Sequence, residues 1–228
     1  MTIQAIFFDI DGTLVDSNEQ HVAAWEQVLR EAGHPIDAET IRMQIGKGAD
    51  MMIPALLPDS DEALQKRLAE AHSAAFGSRY LPTIQPFPGA RDLVVRVREA
   101  GMLAVLASSA SRDELGHYVD LLGVRDLLAA TTSGDDVEHT KPRPDVFAAA
   151  LERVAPLTAD EVLVLGDTPY DIEAAKRCGI GAIAVRSGGF PDDVLREAGT
   201  IAIYDGVAAL LDDFDRSPLA GAPAQAEG

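Results

Sequence analysis

The chain has 228 residues, 47% of them hydrophobic, which is enough to bury the core of one large domain or of a domain with an insert. With 19 Lys and Arg against 37 Asp and Glu, the formal net charge of -18 discourages a nucleic-acid or anionic-membrane partner, since both would repel it. Cys178 is the only cysteine, so no intrachain disulfide can form; with no signal peptide and a first apolar run that stops at Asp9, a protein of the reducing cytoplasm is expected.

The first element is the apolar run Ile3 to Phe8, a strand that ends in Asp9-Ile10-Asp11-Gly12-Thr13. Strand alternation sends Asp9 and Asp11 to one side, and a carboxylate leaving a buried run is costly unless a cation or hydrogen bonds offset it. Next comes a stretch from Asp16 to Pro86 with helical patterns and no convincing strand. Its helices are expected from Ser17, with Ser17 to Gln20 as a capping box, to Gly33, then over about 38–44, 49–57 and 61–79. Pro86-Phe87-Pro88-Gly89 is a stiff return. From there strands near 102–107, 129–132, 161–166, 181–185 and 200–204 alternate with helices, as a doubly wound parallel sheet requires.

Three later strands or turns carry polar residues where chemistry could sit. Met102 to Ala107 ends in Ser108-Ser109, a hydroxyl and free backbone N–H groups suited to a phosphate oxygen, though Ser is also an ordinary helix cap. Lys141 lies in His139-Thr140-Lys141-Pro142-Arg143-Pro144-Asp145, where prolines restrict the backbone around it. Val162 to Gly166 ends in Asp167, with Asp171 on the first turn of the following helix, where a carboxylate also suits the helix dipole.

Asp9 to Ser17 (DIDGTLVDS), the strand-end Ser108, Lys-Pro-x-Pro-Asp at Lys141 and the acidic run from Asp167 resemble, in order, the motifs of the haloacid dehalogenase superfamily. The resemblance covers Ile3 to about Asp213. It implies a Rossmann-like α/β core of residues 1–16 and 87–215, an all-helical C1 cap at 17–86, and a tail, 216–228, expected to be disordered from its Ala, Pro and Gly content.

The resemblance further implies a Mg2+-dependent phosphomonoester hydrolase acting on a small phosphorylated metabolite of the sugar phosphate or phosphoglycolate type. Asp9 would be the nucleophile that becomes an aspartyl phosphate and Asp11 the proton carrier. Asp9, Asp167 and the backbone carbonyl of Asp11 would hold the metal. Ser108, Ser109 and Lys141 would hold the phosphoryl oxygens, with Asp171 and Thr13 in support. The Asp11 position argues against the metal-free dehalogenase branch, which lacks it.

The β-phosphoglucomutase branch resembles the chain through His21-Val22-Ala23-Ala24-Trp25 in the cap, so His21 is a candidate substrate contact as well as a candidate core residue. Against a mutase, Ala49 stands where that branch places an arginine for a second phosphate, and Gly166 where it places an acid. Lys47, in the loop Ile45 to Ala49, is a candidate for an anionic substrate and keeps a phosphonatase-like Schiff base open. A low-turnover binding protein of the same fold is the remaining alternative. No feature of the sequence marks an oligomer interface.

Overall fold

The computed structural model describes residues 2–220. Among them the strands are β1 (Ala5–Phe8), β2 (Val15–Asp16), β3 (Gln85–Pro86), β4 (Leu103–Ala107), β5 (Leu128–Thr132), β6 (Val162–Gly166), β7 (Gly181–Val185) and β8 (Ala202–Tyr204). The helices are α1 (Asn18–Glu31), α2 (Ala38–Arg42), α3 (Ala49–Leu56), α4 (Glu62–Ala75), α5 (Ala90–Glu99), α6 (Arg112–Leu122), α7 (Asp145–Arg153), α8 (Pro169–Arg177), α9 (Asp192–Ala198) and α10 (Val207–Asp212).

β1, β4 and β6 are apolar along nearly their whole length because helices cover both faces of the sheet. Alternate residues serve alternate faces. Ile6, Phe8, Leu106 and Leu165 pack with Leu93, Tyr118 and Leu210 of α5, α6 and α10, while Phe7, Val105 and Val164 pack with Phe147, Ile172 and Leu195 of α7, α8 and α9. Burial of each large side chain contributes roughly 1.5–3 kcal/mol.

The six-stranded sheet is parallel, in the order β5-β4-β1-β6-β7-β8. The chain builds outward from β1 through β4 to β5, then crosses to β6 and builds the other way. The carboxyl end of β1 therefore lies at the switch point, where open α/β sheets leave a crevice. Phe8 is level with both Leu106 and Leu165, so Asp9, Ser108 and Asp167 emerge together at that edge.

Between β2 and β3 the chain is helical, and α1 to α4 bury a separate cluster that includes Val22, Trp25, Leu29, Ile41, Met52 and Leu68. The two passages to and from the sheet pair with each other, Val15 opposite Pro86 and Asp16 opposite Gln85 in an antiparallel ladder, which residues so few and so rich in proline do not announce.

Three expectations need correction. Ser17 does occupy the N-cap of α1, but it forms no capping bond; its hydroxyl donates instead to Asp11 Oδ1 at 2.6 Å. The last long helix of the insert is α-helical only to Ala75 and widens into a π-turn over Phe76–Tyr80. The C-terminal stretch stays structured past residue 216: Phe214–Arg216 and Pro218–Ala220 form short 3-10 turns, and Leu219 is buried against the α5 and α10 layer. The rest of the expected tail, 221–228, lies outside the described residues. No described helix is long and apolar enough to cross a membrane.

Candidate active site

Directly beyond β1 the backbone turns on Gly12, whose φ of +74° is one that other residues rarely adopt. A side chain there would also collide with Asp167 Oδ2 and the Asn18 amide. The turn folds Thr13 back so that its hydroxyl lies 3.1 Å from Asp9 Oδ2 and 3.1 Å from Asp167 Oδ1. One hydroxyl proton cannot serve both carboxylates at once.

Lys141, fully buried, donates to Asp9 Oδ1 and, at 2.7 Å, to Asp171 Oδ1. The other oxygen of Asp171 closes a capping box at the start of α8, accepting from Thr168 N and Thr168 Oγ1. Capping and lysine-holding are thus two halves of one carboxylate. Gly166 makes the arrangement possible, because a Cβ there would stand 2.5 Å from the Asp171 side chain. The acid that the mutase pattern places at that position has no room.

Carboxylates of Asp9, Asp167 and Asp171 lie within 4.8 Å of one another, all buried. Burial raises the Asp9 carboxyl; Lys141 opposes this and the charge of Asp171 adds to it, leaving Asp9 at about 7. Asp167 is pushed well above the usual carboxylate range by burial and by the charges of Asp9 and Asp171, against the hydrogen bond it accepts from Asn18 Nδ2 at 2.9 Å. For Lys141, burial disfavours the charged form, but Asp171 and Asp9 outweigh it and hold the ammonium protonated. Three acids against one base in a dry place make full ionisation costly without a further cation. Such a cluster of oxygen donors fits a hard divalent cation, with Asp9 and Asp167 carrying the oxygens that Lys141 and Thr168 leave unclaimed.

Asp11 faces the other way, toward the helical insert. Its Oδ1 accepts from Ser17 and lies 3.2 Å from His21 Nε2. Burial opposes ionisation of Asp11, yet the neighbouring imidazole and the hydrogen bonds from His21 and Ser17 hold the carboxyl below its ordinary value. His21 is raised reciprocally: burial lowers it, and the Asp11 charge more than compensates. The second nitrogen of His21 lies 3.4 Å from His72 Nε2 on α4, and burial keeps His72 neutral. His21 also stacks on Phe76, and Trp25 on His72. His21 thus both packs in the insert and reaches the site.

Ser108 Oγ accepts from Ala110 N at 3.0 Å, which leaves its own proton free for another acceptor. Ser108, Ser109, Asp9 and Asp11 line one cavity of about 290 Å³ together with His21 and Lys47. The Lys47 ammonium is drawn aside, however: it donates to Gln44 Oε1 at 2.5 Å and lies 4.4 Å from the centre of the Tyr170 ring.

Several contributors escape sequence reasoning. Asn18 follows an expected helix cap and gave no sign of reaching Asp167; Thr168 reads as a loop residue; His72 sits in an unremarked helix. Ser17 reads as a helix cap rather than as a partner of Asp11, and Thr140 and Thr168 stand beside Lys141 and Asp167 without any pattern of their own.

A family model described as haloacid dehalogenase-like hydrolase matches residues 6–185. Similar curated proteins include a phosphoglycolate phosphatase of Rhodospirillum rubrum, 27% identical over 219 residues, 92% of this chain and 90% of that protein. A phosphorylated carbohydrates phosphatase of Thermotoga maritima is 28% identical over 207 residues, 88% of this chain and 94% of that one. Among solved structures, a hydrolase from Pseudomonas syringae superposes with a TM-score of 0.87 at 31% identity, covering 93% of this chain and 98% of that one. Since the matched span runs from β1 through β7, and so takes in every motif position from Asp9 to Asp171, the chain belongs to the haloacid dehalogenase-like hydrolases.

Proposed function

We propose that the protein is a Mg2+-dependent phosphomonoester hydrolase working through a phosphoaspartate on Asp9. The observation that carries this reading is the cluster at the switch point: a buried carboxylate held by a buried lysine, beside a second carboxylate with no base of its own. Asp9 attacks phosphorus and the phosphoester oxygen leaves, so that the displacement is split into two steps. Lys141 fixes the orientation of Asp9 and offsets charge next to the phosphoryl group. Ser108 and the backbone N–H groups after β4 supply neutral donors to its oxygens. Mg2+, held by Asp9, Asp167 and the backbone carbonyl of Asp11, would add electrostatic stabilisation of the transferring group.

Asp11 and His21 hold a proton between them, which the leaving oxygen takes in the first step; in the second, the carboxylate accepts one from the water that opens the acyl phosphate. The helical segment 17–86 acts as a cap over this site, with residues 1–16 and 87–215 as the catalytic core. Names of the relatives support phosphorylated small molecules as substrates. Mutase chemistry is disfavoured because, among the described residues, no arginine lines the cavity to grip a second phosphate.

The test is release of p-nitrophenol from p-nitrophenyl phosphate with Mg2+ and with EDTA, for the wild type and Asp9→Asn. Metal-dependent turnover that falls at least about 10³-fold in Asp9→Asn is expected. Equal turnover by the variant would remove Asp9 as nucleophile, and no metal-dependent release by the wild type would remove the phosphatase assignment.

A further inference from the structure

The cavity beside Asp9 and Asp11 is lined by several acids besides those two. Its wall carries Asp50, Glu114, Asp135 and Glu138. The cations of the site have other partners. Lys47 is turned to Gln44 and Tyr170, neither of which lines the cavity. Both nitrogens of His21 face Asp11 and His72, and Lys141 is committed to Asp9 and Asp171. Among the described residues, no arginine lines the cavity.

Helix N-termini that open on the cavity could attract an anion, but each is met by a carboxylate. Asp50 lies in the first turn of α3 and accepts from Thr140 N at 2.9 Å. At α6, Glu114 accepts from Ser111 N and Oγ, and Asp135 accepts from Arg112 N at 2.8 Å. A substrate whose released part carried a carboxylate or second phosphate would meet four acids against one ammonium, that of Lys47, which is held by Gln44 and lies against the Tyr170 ring. A released part rich in hydroxyls would instead find acceptors.

We propose that the leaving group of the natural substrate is an uncharged, hydroxyl-bearing moiety, that of a sugar or polyol monophosphate, and that the acidic wall rejects substrates with a second anion. The inference rests on the phosphatase reading above and narrows it. It also separates this chain from relatives named for phosphoglycolate, whose leaving group carries a carboxylate.

The decisive experiment compares matched pairs that differ only in a terminal CH2OH or carboxylate: 2-hydroxyethyl phosphate against 2-phosphoglycolate, and sorbitol 6-phosphate against 6-phosphogluconate. Assayed with the full chain and Mg2+, kcat/KM is expected to favour the uncharged member of each pair by about tenfold or more, as like-charge juxtaposition is costly. Glu138→Lys, at an exposed position on the wall, is expected to move the ratio toward the carboxylate by about fivefold. Equal rates or a preference for the carboxylate members, while p-nitrophenyl phosphate is still hydrolysed, would overturn this inference alone. No metal-dependent release from any ester would overturn the phosphatase reading and this one with it.

Discussion

Lys141 is the residue on which the site's stability turns. It is wholly buried, has carboxylates on two sides and lies with its ammonium 5.2 Å from the centre of the Phe147 ring. A buried ion pair adds little net stability, but removing one member leaves the other uncompensated. In Lys141→Met the apolar stem is retained while Asp9, Asp167 and Asp171 remain together without a counter-charge. We expect a loss of about 3–5 kcal/mol in the metal-free protein by urea denaturation, along with loss of phosphatase turnover. A change within experimental error would show that the carboxylates take up protons cheaply and that the lysine is there for chemistry alone. The importance of Lys141 was visible in its proline-bounded motif. The double use of Asp171 was not, because helix capping and ion pairing write the same letter in the sequence, and only the space left by Gly166 lets one side chain do both.

At the scale of elements, the loop before α3 is where the helical insert meets the sheet. Gly48 N donates to Thr140 Oγ1 at 2.9 Å, Thr140 N and Oγ1 donate to Asp50, and Tyr170 Oη donates to the Met43 carbonyl. Glycine is required at Gly46 and Gly48, since a Cβ at either would press on Thr168 or Thr140 at under 3 Å. Thr140 immediately precedes Lys141, so closure of the insert fastens onto the segment that presents the lysine. Thr140→Val keeps the shape and removes the hydroxyl. With about 1–2 kcal/mol of hydrogen bonding lost from the closed arrangement, KM for a small phosphoester is expected to rise about 5- to 30-fold, with a smaller change in kcat, as measured by steady-state kinetics. A lowered kcat at constant KM would place the hydroxyl in the chemistry instead. The sequence of this loop looked chemically plain because its partners lie some 90 residues or more away. The six strands of the parallel sheet, by contrast, were legible to within a residue or two, since a sheet covered on both faces writes itself as uninterrupted apolar runs, whereas the short β2–β3 pair was not.

For the whole molecule, the formal charge of -18 describes the surface and says little about the centre, where the decisive imbalance involves only a few groups. That imbalance links stability to both pH and metal. Asp9 is raised from an ordinary 3.8 to about 7, and Asp167 is raised as well. A carboxyl whose folded pKa exceeds its unfolded one favours the fold fully below the unfolded value, and loses that contribution as pH climbs through the folded one. The metal-free protein should therefore lose thermal stability between about pH 5 and pH 8. Asp11 and Asp136, which are held low, act in the opposite sense, but below about pH 4 and outside this window. His21, raised by Asp11, also loses its contribution as pH rises, with or without metal, so it cancels when the two conditions are compared. A divalent ion held by Asp9 and Asp167, as proposed above, would bind the ionised form and compete with the protons. Consequently the gain in Tm on adding Mg2+ should be small near pH 5 and grow steadily toward pH 8. It should be abolished in Asp167→Asn, and differential scanning calorimetry in EDTA and in Mg2+ across that range measures it directly. A gain that does not change with pH would mean that the ion binds away from the raised carboxylates, and would detach the cluster at the switch point from the metal.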